Sequence, residues 1–279
     1  MPIPCVPDRY LLARLTTTEI AALDGDRTLI VLPVAAVEQH GPHLPVLTDA
    51  MIGQEVLSRA LALRPDDGRV WALPAPVYGK SNEHTGFPGT FGLGAETLAR
   101  TVRDIARGVY ASGLRRLMLL NSHGGNPEIL DYTARDLREE MDILCFTAHP
   151  FRLGLASDIV SDVEEGVGIH AGEAETSVVL AIAPELVHTD AYAPELPPVR
   201  RHMRRFTFKG AASFGWLTRD LSVSGTIGDP RGASAEKGEA ILHAEARAVA
   251  DLIEEALALR LIPPDVSPEG HPDPLTQRQ

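Results

Sequence analysis

The chain has 279 residues and a formal net charge of −12, a balance that argues against nucleic-acid binding, which draws on a basic field. Its hydrophobic fraction of 44% suffices for a sizeable core, yet no stretch approaches the roughly 20 apolar residues a membrane-spanning helix needs. Residues 1–9 lack the basic flank and apolar run of a secretory signal, and Cys5 and Cys145 are too few for a disulfide framework, so a cytoplasmic location is expected.

In chain order, residues 28–34 form an apolar, β-branched run that reads as a buried strand. A loop carrying Glu38, His40, His43 and Asp49 follows, then a helix over 50–63 that Thr48 or Asp49 is placed to cap. Residues 70–77 read as a strand broken by prolines, leading into a Gly-rich loop with Ser81, Glu83 and His84. An amphipathic helix over 95–112 closes at Gly113, and residues 116–120 form the next strand. After the turn at 121–126, Asn126 is expected to cap a helix that has Pro127 in its first turn and runs to about residue 140. A strand over 143–147 and helices over 173–183 and 241–260 complete the pattern. Alternating strands and helices predict an α/β fold with a largely parallel sheet covered on both faces. One domain is expected over residues 1–262, with a Pro-rich tail over 263–279 that is loose or spread over a neighbour.

Ligand-type side chains just past a strand's C-terminal end sit where open α/β sheets place their sites. Taken alone, Glu38-x-His40 equally suits a polar loop before a helix. Three further segments add weight: His123 follows a buried strand and precedes Gly124 and Gly125, His170 lies with Glu173 and Glu175 at a helix start, and the Gly-rich loop with Ser81, Glu83 and His84 either shapes a substrate pocket or simply connects a strand to a helix. Such loops converge along one edge of a parallel sheet. Imidazole mixed with carboxylate, without thiolate, points to catalytic Zn, Mn or Fe rather than a structural zinc. Two metals sharing one carboxylate also fit, and Asp49, short and between the others, is placed to bridge.

Five motifs in order resemble the creatininase (creatinine amidohydrolase) family. They are Glu38-x-His40-Gly-Pro-His43-Leu-Pro-x-x-Thr48-Asp49; Ser81-x-Glu83-His84 with Phe87-Pro-Gly-Thr90; Asn121-x-His123-Gly-Gly-Asn126; His170-Ala-Gly-x-x-Glu175-Thr-Ser177; and Gly225-x-x-Gly-Asp229-Pro. The resemblance implies a three-layer α/β/α sandwich, a dinuclear metal centre, hydrolysis of amide C–N bonds in a small molecule, and homo-oligomers that are often hexamers. It makes Glu38, His40, Asp49 and His123 metal ligands, with Asp49 bridging.

The departures bear on substrate. Creatininase has Tyr-Glu where this chain has Gly124-Gly125, and that Glu is a ligand, so the second metal needs another carboxylate. Glu175 fits the family pattern best, with Glu173 next. Creatininase also closes its site with tryptophans ahead of the His170 motif, whereas this chain has no Phe, Trp or Tyr from 152 to 191. The Gly-Gly version resembles relatives acting on formamides, on cyclic sugar-derived ketones or on a peptide bond in cofactor maturation.

With metal-activated water as nucleophile, Glu175 or Glu173 is expected to accept its proton if not a ligand. His170 is the candidate acid for the leaving nitrogen. Ser81 and the backbone of Gly124 and Gly125 are expected to bind substrate, and His43 to support the ligands. The basic run from Arg200 to Lys209 reads as a solvated strand or subunit contact, or as a lure for an anionic substrate. C–C bond hydrolysis in a cyclic polyol ketone is the alternative chemistry. A binding or scaffold protein is the non-enzymatic alternative, disfavoured because every candidate ligand is present.

Overall fold

Four parallel strands pair in the order β2-β1-β3-β4 in the computed structural model, which describes residues 6–161 and 168–261. The elements are α1 (Thr17–Ala21), β1 (Leu29–Val34), α2 (Thr48–Ala62), β2 (Val70–Ala72), α3 (Ala95–Ala111), β3 (Arg116–Asn121), α4 (Pro127–Met141), β4 (Leu144–Ala148), α5 (Glu173–Ile182), α6 (Thr218–Leu221) and α7 (Ala235–Ala258). The tail expected from 263 lies outside the described residues.

Side chains alternate across a strand, so a sheet covered on both faces must be apolar at successive positions. In β1, Leu29 and Val31 pack with α2, α5 and α7, while Ile30, Leu32 and Val34 pack with α3 and α4. In β3 the same division puts Met118 and Leu120 on the first face and Leu117 and Leu119 on the second. Three layers result, as expected for an α/β/α sandwich. The chain leaves β1 for β2 on one side and returns through α3 to β3 on the other. The strand order thus reverses between β1 and β3, the crevice where open α/β sheets bind ligands.

A proline inside a central strand ordinarily removes a ladder hydrogen bond. Pro33 escapes this because the odd-numbered residues of β1 bond toward β2: Leu29 N–H donates to Arg69 O (2.8 Å) and Val31 O accepts from Leu73 N–H (2.9 Å). The strand β2 has ended by the level of Pro33. On the opposite side Ser122 N–H reaches Val34 O at 3.0 Å, keeping β1 and β3 joined up to the crevice.

Several boundaries differ from the sequence reading. Proline at 74 and 76 stops the second strand at Ala72. Neither Thr48 nor Asp49 caps α2: Thr48 Oγ1 donates to Pro45 O (2.6 Å) and Asp49 turns into the crevice. Asn126 likewise does not cap α4. Its Oδ1 accepts from Lys80 N–H (3.0 Å), and its amide donates to Ala35 O (3.1 Å) and Asn121 Oδ1 (3.0 Å), tying three loops together. The closing helix starts at Ala235, capped by Ser234, six residues before the sequence pattern suggests. The interruption in that pattern is Gly238, whose missing side chain lets α7 lie directly on the Ser177 carbonyl of α5.

Helix propensity alone would make Gly238→Ala stabilising by about 1 kcal/mol. Because a Cβ there meets backbone, the expected result is the reverse, a loss of about 1–3 kcal/mol in urea unfolding. A stabilised variant would show that α5 and α7 are not held at this spacing.

Candidate metal centre

The loops after β1 and β3 and the start of α5 bring Glu38, His40, Asp49, His123, His170 and Glu175 together, and all but the half-buried Glu175 are buried. Three groups of potential ligand atoms converge within 4.8 Å: Glu38, Asp49 and His123; His40, Asp49 and Glu175; and Glu38, His40 and His170. Asp49 belongs to the first two, with Oδ1 3.3 Å from His40 Nε2 and Oδ2 3.0 Å from His123 Nδ1. Glu38 Oε2 lies 3.3 Å from His123 Nδ1.

These contacts are close but poorly aligned as hydrogen bonds. Glu38 Oε2, Asp49 Oδ2 and His40 Nε2 are buried polar atoms without a hydrogen-bond partner. Buried polar atoms are seldom left so, and their convergence, with borderline nitrogen and hard oxygen donors, is what a divalent metal requires. The imidazoles are oriented from behind: His40 Nδ1 is 3.0 Å from Glu38 O, and His123 Nε2 is 2.8 Å from Lys80 O. Both are the backbone partners that fix a ligand tautomer.

Burial opposes charge on every member, yet mutual attraction overrides it for most. The histidines His123 and His84 hold the Glu38 carboxyl well below the usual range. Burial is likewise outweighed at His40, where Asp49, Glu175 and Glu38 push the imidazole up to about 10, and at His123, raised well above its ordinary value by Glu38 and Asp49. His170 goes the other way: burial, His84 and His40 hold it well below its ordinary value. Its Nε2 donates to Gln39 O at 2.7 Å, leaving Nδ1 to face Glu38 Oε1 at 3.8 Å. Its ring also lies against those of His84 and His40, with centroids 4.1 and 4.3 Å away. The neutral form is therefore the resting one, which alters the expected role: His170 must accept a proton before it can act as an acid.

Glu175 Oε2 accepts from Ala171 N–H (2.5 Å). Ala171 has a left-handed φ of 51°, local strain of about 1–2 kcal/mol at the site. Glu173, in contrast, is not brought to the cluster; its carboxylate binds Lys237 and accepts from Ser161 N–H (3.0 Å) and Oγ (2.6 Å). Ser81 is fully buried and does not line the cavity, so it is not placed to touch substrate. His43 is buried, with Nε2 3.0 Å from Thr176 Oγ1. Of the basic run, Arg200, Arg201, His202, Arg204 and Arg205 are exposed, with 198–202 in a 3₁₀ turn rather than a strand, and only Lys209 lines the cavity.

Three residues with site positions carried no role in the sequence reading. His84 Nε2 lies 3.2 Å from Glu38 Oε1, while its Nδ1 accepts from Gln39 Nε2 and faces Thr218 Oγ1, each at 2.8 Å. Gln39 also donates to Gly225 O (3.0 Å), which joins the fifth motif to the site. Glu83 Oε1 lies 3.7 Å from His123 Nε2 and fills the space a side chain at 125 would enter, so Gly125 is required there. A Cβ at Gly125 would also meet the Lys80 carbonyl, whereas one at Gly124 would meet only the flexible end of Lys209. The motif Ser81-x-Glu83-His84 was the available signal for two of the three.

The centre opens into a cavity of about 690 Å³, ample for a small molecule or a short peptide segment. Donors aimed at a common point beside such a cavity suit a metal-dependent enzyme. The chain belongs to the creatininase family: the family model for creatinine amidohydrolase matches residues 13–253. It is 35% identical over 239 residues to the mycofactocin precursor peptide peptidase of Mycobacterium ulcerans, covering 83% of this chain and 86% of that one. It is 32% identical over 250 residues to the creatinine amidohydrolase of Pseudomonas putida, with 81% and 89% covered. A solved structure of creatininase with Mn superposes with a TM-score of 0.71 at 28% identity, over 89% of this chain and 98% of that one. The chain is a metal-dependent amidohydrolase of this family, and the parallel α/β architecture is the family's.

Because Asp49 and Glu38 hold His40 at about 10 and His123 well above its usual value, both are protonated near neutral pH before metal arrives. Ligation needs them deprotonated. Zinc uptake by metal-free protein at pH 7 is therefore expected to release at least one proton, seen as a calorimetric enthalpy that varies with buffer ionisation heat, and affinity should rise with pH. An enthalpy independent of buffer would contradict this arrangement.

Proposed function

We propose that the chain hydrolyses an amide C–N bond of a small molecule with two divalent ions per chain, drawn from Zn, Mn and Fe. The observation that carries this is the dual membership of Asp49: Glu38, Asp49 and His123 would hold one ion, and His40, Asp49 and Glu175 the other. When bound, the ions supply an acidified water and polarise the carbonyl. The protein's own part is proton handling and orientation. His170, which lines the cavity with Nδ1 unprotonated at rest and turned toward Glu38, takes the proton from the attacking water and returns it to the departing nitrogen. Gln39 fixes the ring of His170 through its backbone carbonyl and that of His84 through its side chain. Glu175 serves as a ligand rather than a base, while Glu173 anchors the start of α5 through Lys237 and Ser161.

A peptide amide as substrate is the second reading, supported by the named activity of the 35% identical relative and by a cavity of about 690 Å³. A single domain and a homo-oligomeric, cytoplasmic enzyme complete the proposal.

Elemental mass spectrometry should find close to two metal equivalents per chain, and light scattering a particle larger than one chain. His123→Ala is expected to lose one equivalent and at least 10³-fold in release of amine from a panel of amides, formamides and short peptides. Full metal occupancy in that variant would sink the ligand assignment.

A further inference from the structure

Helix α7 is amphipathic in the ordinary way, with Ile241, Leu242, Ala246, Val249, Ala250 and Ile253 buried along one stripe. Glu245 lies in the same stripe, 9% exposed, and is the one charged residue among the buried positions of this helix. A leucine there would gain from burial, whereas a buried carboxylate is costly unless a partner meets it. Among the described residues none does: the Glu245 carboxylate makes no hydrogen bond and no ion pair. The nearest basic residues on its helix, His243 and Arg247, are exposed at its surface, and Lys237 is committed to Glu173.

Glu245 does face space. It lines the cavity that holds the metal ligands, in company with Ile52, Val56, Val178 and Ile241. The cavity thus has a polar end at Glu38, Asp49, His123 and Glu175, and an aliphatic stretch between α2, α5 and α7 that carries Glu245. Glu175, on the adjoining turn of α5, is the acidic group that acts on Glu245; with Glu175 holding an ion, Glu245 would be the carboxylate at this end left to meet a cation.

We infer that the α2–α5–α7 end of the cavity is a subsite for a cationic group, an alkylammonium or alkylguanidinium, whose chain lies along Ile52, Val56, Val178 and Ile241 and whose charge pairs with Glu245. This deepens the hydrolase reading by naming a substrate class, an amide bearing a basic aliphatic arm, and rests on that reading only for turnover. Binding of the arm is separate.

The test uses metal-loaded protein and two probes of nearly equal shape, n-butylguanidinium and its neutral counterpart N-butylurea, with affinities from ligand-observed NMR titration. Guanidinium stays charged and has no lone pair to offer a metal. Wild-type protein is expected to prefer n-butylguanidinium at least 10-fold, and Glu245→Gln to abolish that preference while retaining two metal equivalents. Equal affinity of the two probes for wild type would overturn the proposal. So would a preference that survives in Glu245→Gln, or a variant that gains thermal stability with the preference unchanged. Should Glu245→Gln fold poorly, Glu245→Met fills the apolar stripe and is read the same way. Guanidinium preference without amine release from any amide would leave the subsite standing and remove the hydrolase reading instead.

Discussion

Glu38, Asp49 and Glu175 crowd three carboxylates into one crevice largely closed to water. Like charges at such range resist ionising together, and burial resists ionising them at all. The surrounding structure answers with positive charge that can be exchanged: protons on His40 and His123 before metal arrives, and the metal afterwards. Everything near the centre is arranged to keep that exchange possible. Backbone carbonyls hold the far nitrogen of each imidazole, so the near nitrogen faces the carboxylates whichever cation is present. The orphaned atoms of Glu38, His40 and Asp49 are the residue of this compromise, since geometry suited to a metal leaves hydrogen bonds misaligned.

The sheet makes such crowding affordable to build. Strands β1 and β3 run side by side to the crevice, each apolar on both faces, and their loops leave from the same edge. Asn126 then joins the loop after β3 to the loop after β1 and to the Gly-rich segment. Ligands distant in sequence are therefore fixed by rigid neighbours rather than by one another, so the site does not depend on the metal for its outline.

Much of this was legible in the chain. The apolar runs at 28–34 and 116–120, the clustered candidate ligands after them and the His170 segment suffice for the fold class and for which side chains meet in one crevice. What escaped has physical reasons. Asn126 and Thr48 carry helix-cap chemistry, but tertiary partners competed for their side chains and won. Glu173 and Glu175 are alike in type and nearly in place; only the helical turn, which aims one at Lys237 and the other at His40 and Asp49, separates them. Glu245 lay in a helical stretch whose composition reads as ordinary, and its isolation appears only once α2 and α5 are packed against it.

Gly125 carries a consequence for how this branch of the family can change. The space beside it is taken by a carboxylate from another loop and by the backbone of Lys80, so a glutamate placed at 125 alone has nowhere to go. It requires residues 80–83 to move, and losing Glu83 alone leaves a gap beside His123. Positions 83 and 125 are thus coupled: a larger side chain at one calls for a change at the other, so neither can be varied on its own without disturbing His123.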